Sequence, residues 1–318
     1  MNSTFLDFST IGANELDPTP LLKVLPDLRI YDTTSPSQVV ERIRDAEVVL
    51  LNKVKFDRAV LQQAPKLRCI GLTATGVDNI DLDAARELGI AVCNVTAYCT
   101  QSVVEHVFGT LLTLTHNLNQ YNAAVRAGAW QKSAQFCMLD YPLRELSAMT
   151  MGIVGSGNLG GAVARTAEFF GMQVLFAQRA GASESDDGRL PLDELLRTVD
   201  VLSLHCPLNE QTAGLIGTRE LALMKNSALL INTARGGLVD SAALVNAIDS
   251  GQIAGAAIDV LGEEPPVNGD PLLESENPRL YVTPHIGWAT REARQNSLEQ
   301  LANNVDAFLR GERRNRVD

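Results

Sequence analysis

Short apolar runs recur along almost the whole sequence, with helix-like segments between them, and no other feature narrows the possible folds as far. Before Thr100 the runs are TFLDF, LRIYD, EVVLLN, LRCIGLTA and IAVCNV; after Ser147 they are MTMGIV, MQVLFA, VDVLSL, ALLINT, GAAIDV and LYVT. Strands that alternate with helices are joined by crossovers, so they lie parallel in α/β sheets. Val48 to Leu51 and Cys69 to Leu72 are continuously apolar, as strands covered on both faces should be. The intervening FDRAVLQQAP and DLDAARELG open on aspartates suited to helix N-caps and close on Pro or Gly. The two sets of runs predict two doubly wound parallel-sheet domains, which 318 residues accommodate at about 150 residues each.

Between the sets, QSVVEHVFGTLLTLTHNLNQYNAAVRAG reads as one long helix bridging the domains, followed by an irregular stretch, WQKSAQFCMLDYPLRELS. After Thr290, a helical period places Leu298, Leu301, Val305 and Leu309 on one face, and that face should pack back onto an earlier element.

Composition excludes several classes of function. Lys+Arg 27 against Asp+Glu 38 gives a net charge of −11, which repels phosphate backbones, so nucleic acid is not expected as a partner. The five cysteines, Cys69, Cys93, Cys99, Cys137 and Cys206, are odd in number and contain no C-x-x-C pair, which fits reduced thiols in a cytoplasmic protein and no zinc site. No basic residue precedes Lys23, and no apolar run approaches the roughly 20 residues that cross a bilayer, so neither secretion nor membrane insertion is expected.

MTMGIV leads directly into Gly155-Ser156-Gly157-Asn158-Leu159-Gly160 and then into GAVARTAEFFG, where Leu159, Val163, Ala167 and Phe170 share a helical face. In this strand, G-x-G-x-x-G turn and helix, the glycines let a pyrophosphate approach the helix N-terminus, where unpaired N–H groups and the dipole favour anions. The arrangement predicts a dinucleotide site; a tight turn without ligand is the plainer alternative. The next strand ends at Gln178-Arg179, where an acid would hold the adenosine ribose of NAD. With no carboxylate there to repel a 2′-phosphate and with Arg179 able to pair with one, NADP is slightly favoured over NAD, unless Arg179 is simply a solvated loop residue.

Three further segments each follow an expected strand: Asn232-Thr233-Ala234-Arg235-Gly236-Gly237, Asp259-Val260-Leu261-Gly262-Glu263-Glu264-Pro265 and Pro284-His285-Ile286-Gly287. In an open α/β sheet the carboxyl ends of the strands line the ligand crevice, so these groups should converge. Together with ATGVDNIDLDAA, SVVEHVFGTLL, GIVGSGNLG, HCPLNEQTAGLI and TPHIGWAT, in order over nearly the whole chain, they resemble the D-2-hydroxyacid dehydrogenase family. Within it, the sequence looks most like hydroxypyruvate and glyoxylate reductases, also called glycerate dehydrogenases.

The resemblance implies a flavodoxin-like substrate-binding domain from residues 1–99 and 286–318, a Rossmann-type NAD(P)-binding domain from 100–285, and a homodimer through the cofactor domains. It implies that Arg235 holds the substrate carboxylate, that His285 is the acid/base and that Glu264 is its partner, although Glu263 could face the site instead. The chemistry suits these roles. Reducing a 2-keto acid requires a proton on oxygen, which histidine can exchange near neutral pH, while a neighbouring carboxylate favours the imidazolium and fixes the ring. An arginine fork can bind both oxygens of a carboxylate. Around the cofactor, the resemblance places Gly155, Gly157, Asn158, Leu159 and Gly160 at the phosphates and Gln178 with Arg179 at the ribose. His205, Cys206, Pro207, Thr212, Thr233 and Ala234 would form the pocket wall, and Asp259 would meet the nicotinamide carboxamide. N–H groups around Thr75, Gly76 and Val77 would grip the substrate carboxylate, with Lys53 as a second cation and Trp288 walling the pocket.

His106 and His116 are not at metal-ligand spacing and read as packing residues. Cys206 has no general base placed beside it and reads as a wall residue. With the sequence ending at Asp318, no added regulatory domain is expected, and it shows no obvious basic cluster for a substrate phosphate, which favours hydroxypyruvate or glyoxylate. Phosphite-type oxidation on the same scaffold and a cofactor-sensing, corepressor-like binding protein are the alternatives. Formate enzymes of the family usually carry Gln in the Glu264 role.

Overall fold

In the computed structural model, which describes residues 1–179 and 188–318, the chain forms two compact units: Met1–Cys99 with Trp288–Asp318, and Thr100–Gly287. The first unit holds β1 (Ser3–Phe5), α1 (Thr19–Val24), β2 (Leu28–Ile30), α2 (Pro36–Ile43), β3 (Val48–Leu51), α3 (Arg58–Leu61), β4 (Cys69–Leu72), α4 (Leu82–Glu87) and β5 (Ala91–Cys93). The five strands pair in parallel with one another, in the order β2-β1-β3-β4-β5, the doubly wound order of flavodoxin-like sheets. β3 and β4 are wholly buried, as their unbroken apolar sequence requires. Asp57 and Asp81 cap α3 and α4, accepting from Val60 N at 2.9 Å and Ala84 N at 2.8 Å, each cap contributing about 1 kcal/mol.

The unit's last helix (Arg291–Leu309) buries Leu298, Leu301 and Val305 against Phe5, Val48 and Leu50 on one face of the sheet. Leu309 departs from the expected apolar face: it is the last residue of the helix and 38% exposed, while Phe308 of the same turn packs against the core. The exposed edge of β5 is paired antiparallel by the C-terminal residues, with Val317 N donating to Val92 O and Asn94 N to Asn315 O.

The second unit begins with α5 (Thr100–Thr115) and α6 (Leu118–Arg126). The single helix expected here is broken at Asn117, whose φ of 48° is left-handed. Asn117 Nδ2 donates to Pro142 O at 2.5 Å and its Oδ1 accepts from Arg279, so tertiary hydrogen bonds hold a turn that the apolar period does not reveal. The segment is also no mere bridge, since α5 packs within this unit.

The sheet follows: β6 (Thr150–Val154), α7 (Asn158–Phe169), β7 (Gln173–Phe176), α8 (Leu192–Thr198), β8 (Val201–Leu204), α9 (Thr218–Leu223), β9 (Leu229–Asn232), α10 (Ser241–Asp249), β10 (Gly255–Ile258), α11 (Pro271–Glu274) and β11 (Leu280–Val282). The order is β11-β10-β9-β8-β6-β7, all parallel, and Leu190 adds a single parallel bridge beyond β7 at Ala177. The chain reverses its winding direction at β6, the kind of switch point outside which open α/β sheets bind ligands. Val163 and Ala167 of α7 are fully buried, whereas Phe170 caps the helix outside it, 38% exposed, with its ring stacked on Phe108 at 5.2 Å. The unit ends at Gly287 and not at residue 285, because Ile286 and Gly287 are hydrogen-bonded to Asp259.

Candidate active site

Since every strand of the second sheet is parallel, the loops after β6, β8, β9, β10 and β11 leave from the same edge. Each contains sequence-predicted site residues. After β6, a Cβ on Gly160 would stand 1.9 Å from Gly155 O, so α7 approaches the strand more closely than any side chain allows. In front of the helix, a Cβ on Gly157 would meet nothing within 4 Å, and no side chain caps the N-terminus of α7, among the described residues. That space and the N–H groups that open a helix together suit a phosphate. Asn158 accepts from Thr100 Oγ1 at 2.7 Å, and Leu159 is half-buried.

At the end of β7, Gln178 is half-buried, its N–H donating to Leu190 O, and Arg179 is exposed. Arg189, which the sequence reading missed, donates to Ser156 Oγ of the glycine loop at 2.8 Å. No motif marks this arginine; only the return of the chain at Leu190 brings it there.

After β8, His205 pairs its Nε2 with Ser203 Oγ at 2.8 Å, while its buried Nδ1 has no partner among the described residues. Burial lowers its pKa to about 4, so the ring is neutral at pH 7. Burial also pushes the Cys206 thiol up, which keeps it protonated and unreactive. Thr212 closes this loop by donating to Pro207 O at 2.7 Å and accepting from Asn209 N at 2.9 Å. Thr233 Oγ1, after β9, is a second buried polar atom with no partner among the described residues. Two orphaned polar atoms, His205 Nδ1 and Thr233 Oγ1, on the loops after the adjacent strands β8 and β9 fit a polar ligand there.

Arg235 lies in a turn fixed by buried Asn232, which donates to Arg235 O and accepts from Ala234 N. Its guanidinium donates to Ala234 O at 2.8 Å. Gly236 packs against the next loop so tightly that a Cβ would lie 2.0 Å from the Leu261 carbonyl carbon, which joins the Arg235 turn to the segment carrying Glu264. Glu264 accepts from Leu261 N at 2.9 Å through Oε1 and meets His285 Nδ1 at 2.6 Å through Oε2. Glu263 instead accepts from Asn268, so of the two acids it is Glu264 that meets the histidine.

Asp259 is 2% exposed, and its carboxylate accepts from Thr283 Oγ1 at 2.6 Å, Ile286 N at 2.9 Å and Gly287 N at 2.8 Å. Thr283 and these amides were not foreseen as its partners.

The remaining candidates sit in the first unit. Lys53 follows β3, exposed, on a turn whose Asn52, Lys53 and Val54 N–H groups all donate to Asp7. Thr75, Gly76 and Val77 follow β4, with Thr75 Oγ1 donating to Val95 O at 2.8 Å. Trp288 is packed edge-on against Tyr98, ring centroids 6.5 Å apart. Among the described residues there is no metal-binding cluster, and no helix is long and apolar enough to cross a membrane.

Residues 108–287, more than half of the chain, match the family described as D-isomer specific 2-hydroxyacid dehydrogenase, NAD binding domain. The chain belongs to the D-2-hydroxyacid dehydrogenase family. This family member is an oxidoreductase. It is 44% identical over 289 residues to a glycerate dehydrogenase of Methylorubrum extorquens, covering 91% of each chain, and 37% identical over 317 residues to a hydroxypyruvate reductase of Blautia hydrogenotrophica, covering 98% of each. It also matches a solved D-lactate dehydrogenase of Aquifex aeolicus in complex with NAD and lactic acid, with a TM-score of 0.80 and 29% identity over 98% of this chain and 96% of that one.

Proposed function

We propose that this enzyme reduces a small, unphosphorylated 2-keto acid, hydroxypyruvate or glyoxylate before others, to the D-2-hydroxy acid. The observation that carries the reading is the 2.6 Å contact between His285 Nδ1 and Glu264, on a loop packed against the Arg235 turn. With Nδ1 held by the carboxylate, Nε2 is the nitrogen that gives its proton to the carbonyl oxygen, and Glu264 fixes the orientation of the ring. Arg235 binds the substrate carboxylate through its planar fork and draws electron density from the adjacent carbonyl. In the first unit by itself, Lys53 and the N–H groups of Thr75, Gly76 and Val77 are donors of the kind a carboxylate takes, and Trp288 is an apolar wall candidate.

A nicotinamide dinucleotide, when bound, supplies the hydride. Gly155, Gly157, Asn158, Leu159 and Gly160 would hold its phosphates, and His205, Cys206, Pro207, Thr212, Thr233, Ala234 and Asp259 would form its walls. NADPH is slightly favoured over NADH: Gln178 brings no charge to the ribose position, Arg179 follows the end of β7, and Arg189 donates to Ser156 of the glycine loop. The enzyme acts in the cytoplasm, where its thiols stay reduced. It works as a homodimer through the second unit, whose Trp130, Phe136, Leu139 and Leu143 expose from 51% to 91% of their surface along one segment.

The test is steady-state oxidation of NADPH and NADH with hydroxypyruvate, glyoxylate and pyruvate in parallel, with His285→Ala as control. Turnover should fall on the order of a thousandfold in the control. Cofactor binding without turnover on any of the acids would overturn the reading, and faster turnover with NADH would reverse the cofactor preference. Sedimentation velocity tests the dimer, with Phe136→Asp expected to yield monomer.

A further inference from the structure

His285 is one of four non-glycine residues with positive φ among the described residues, at φ 54°. An L-residue avoids this region unless its surroundings over-determine it. The left-handed residue turns the next two N–H groups, of Ile286 and Gly287, to the same side, and both donate to the Asp259 carboxylate. The remainder of the hold comes from α5. Ser102 Oγ donates to Gly287 O at 2.6 Å, and one helical turn later His106 Nε2 lies 3.1 Å from Thr283 Oγ1 and 3.6 Å from Asp259 Oδ1.

The directions of these bonds are fixed by the inventory of protons. A carboxylate has none to give, so the Thr283 hydroxyl donates its single proton to Asp259 at 2.6 Å. Thr283 Oγ1 must then accept from His106, which carries its proton on Nε2. The result is a chain from His106 Nε2–H through Thr283 O–H to Asp259, in which each bond polarises the next. His106 is 16% exposed, so water competes little for this donor.

We infer that His106 is a positioning residue: through Thr283 and Asp259, and with Ser102 at the other end of the turn, α5 holds the left-handed backbone that aims the His285 ring at Glu264. It acts through the hydrogen bond of its ring to Thr283. The kinetic part of its role rests on the function proposed above; the geometric part does not.

Glutamine places an N–H where His106 has Nε2, whereas leucine fills the space without a donor, so His106→Gln and His106→Leu separate hydrogen bonding from packing. Amide exchange at Ile286 and Gly287, measured by NMR on the purified full chain, should accelerate on the order of tenfold in His106→Leu and stay within about twofold of the unsubstituted chain in His106→Gln. Thr283→Val removes the middle link without changing volume and should accelerate the same two amides, which covers the case in which His106→Leu does not fold. With hydroxypyruvate, kcat should fall on the order of tenfold in His106→Leu and return in His106→Gln, while the KM for NADPH changes less than twofold. Unchanged exchange in Thr283→Val, or His106→Gln behaving like His106→Leu, would overturn the inference. If the unsubstituted enzyme reduces none of the acids, the proposed function fails, and the exchange rates still decide the role of His106.

Discussion

Each unit carries a buried aspartate that gathers backbone N–H groups from a loop bearing sequence-predicted site residues, and the two are built differently. Asp7 in the first unit accepts from three successive amides, Asn52, Lys53 and Val54, and Asn52 and Asn79 add hydrogen bonds from their side chains to Thr10 and the same turn. Asp259 in the second accepts from two amides and a hydroxyl, behind which stand His106 and a left-handed residue. The Asp7 turn needs only to be ordered, so amides suffice. The Asp259 turn must be kept in a conformation that its own backbone disfavours, and that requires side chains from a neighbouring helix.

The contrast is sharpest in a matched pair of substitutions, Asp259→Asn and Asp7→Asn. Either amide can keep one oxygen toward two of its donors, but its NH2 then faces the third donor, at a cost of about 1–3 kcal/mol. Asp259→Asn should show the larger effect. Beyond that loss it releases the His285 turn, so kcat should fall on the order of a hundredfold with little change in KM. On the substrate role proposed for Lys53, Asp7→Asn should raise KM for the keto acid several-fold and leave kcat within about threefold, because it frees only the turn bearing Lys53. Equal kcat losses in the two variants would show that both turns align the reacting groups and erase the distinction. Burial raises the Asp7 pKa more than its N–H partners lower it, so neutralising that residue also relieves a desolvation penalty, and unfolding in urea should find Asp7→Asn the more stable of the pair.

How much of this was legible follows from the same contrast. The eleven strands, the caps at Asp57 and Asp81 and the glycine loop are local: hydrophobic runs, N-cap chemistry and G-x-G-x-x-G spacing announce them within a few residues. The candidate site residues were named partly by that spacing and partly by family resemblance, and the contact between Glu264 and His285 distinguishes the two neighbouring glutamates. Asp7, His106, Thr283 and Arg189 were not legible, because each acts through a residue remote in sequence. His106 reaches Thr283 across 177 positions, Asp7 reaches Lys53 across 46, and nothing near either announces the partner. The break at Asn117 was hidden for the same reason.

Acid should separate the two units in a further way. His205, in the second, has its pKa lowered to about 4 by burial, whereas the unfolded chain binds a proton near 6.5. The unfolded state therefore takes up more protons as pH falls, and stability is lost between about pH 6.5 and 4, by up to about 2 kcal/mol on going from pH 7 to pH 5. Asp7, in the first, has the opposite sign. Its folded pKa is raised, so falling pH relieves its burial as the carboxyl takes up a proton above the unfolded value. Urea unfolding of His205→Leu at pH 7 and pH 5 should show a smaller acid loss than the unsubstituted chain, and an unchanged slope would place the acid sensitivity elsewhere.

The last contrast lies within one helix, between its middle and its C-terminal end. Leu301 has no exposed surface and packs with Phe5 and Leu50, so Leu301→Ala should cost about 2–5 kcal/mol by leaving a cavity. Leu309 sits on the same nominal stripe but is 38% exposed in the final turn, and Leu309→Ala should change stability by less than about 0.5 kcal/mol. Thermal denaturation of the two variants measures this directly. A cost at Leu309 approaching that at Leu301 would mean that the last turn is covered in solution by a surface outside this chain, and the apolar period would then have been right about the residue for a reason that lies beyond the first unit.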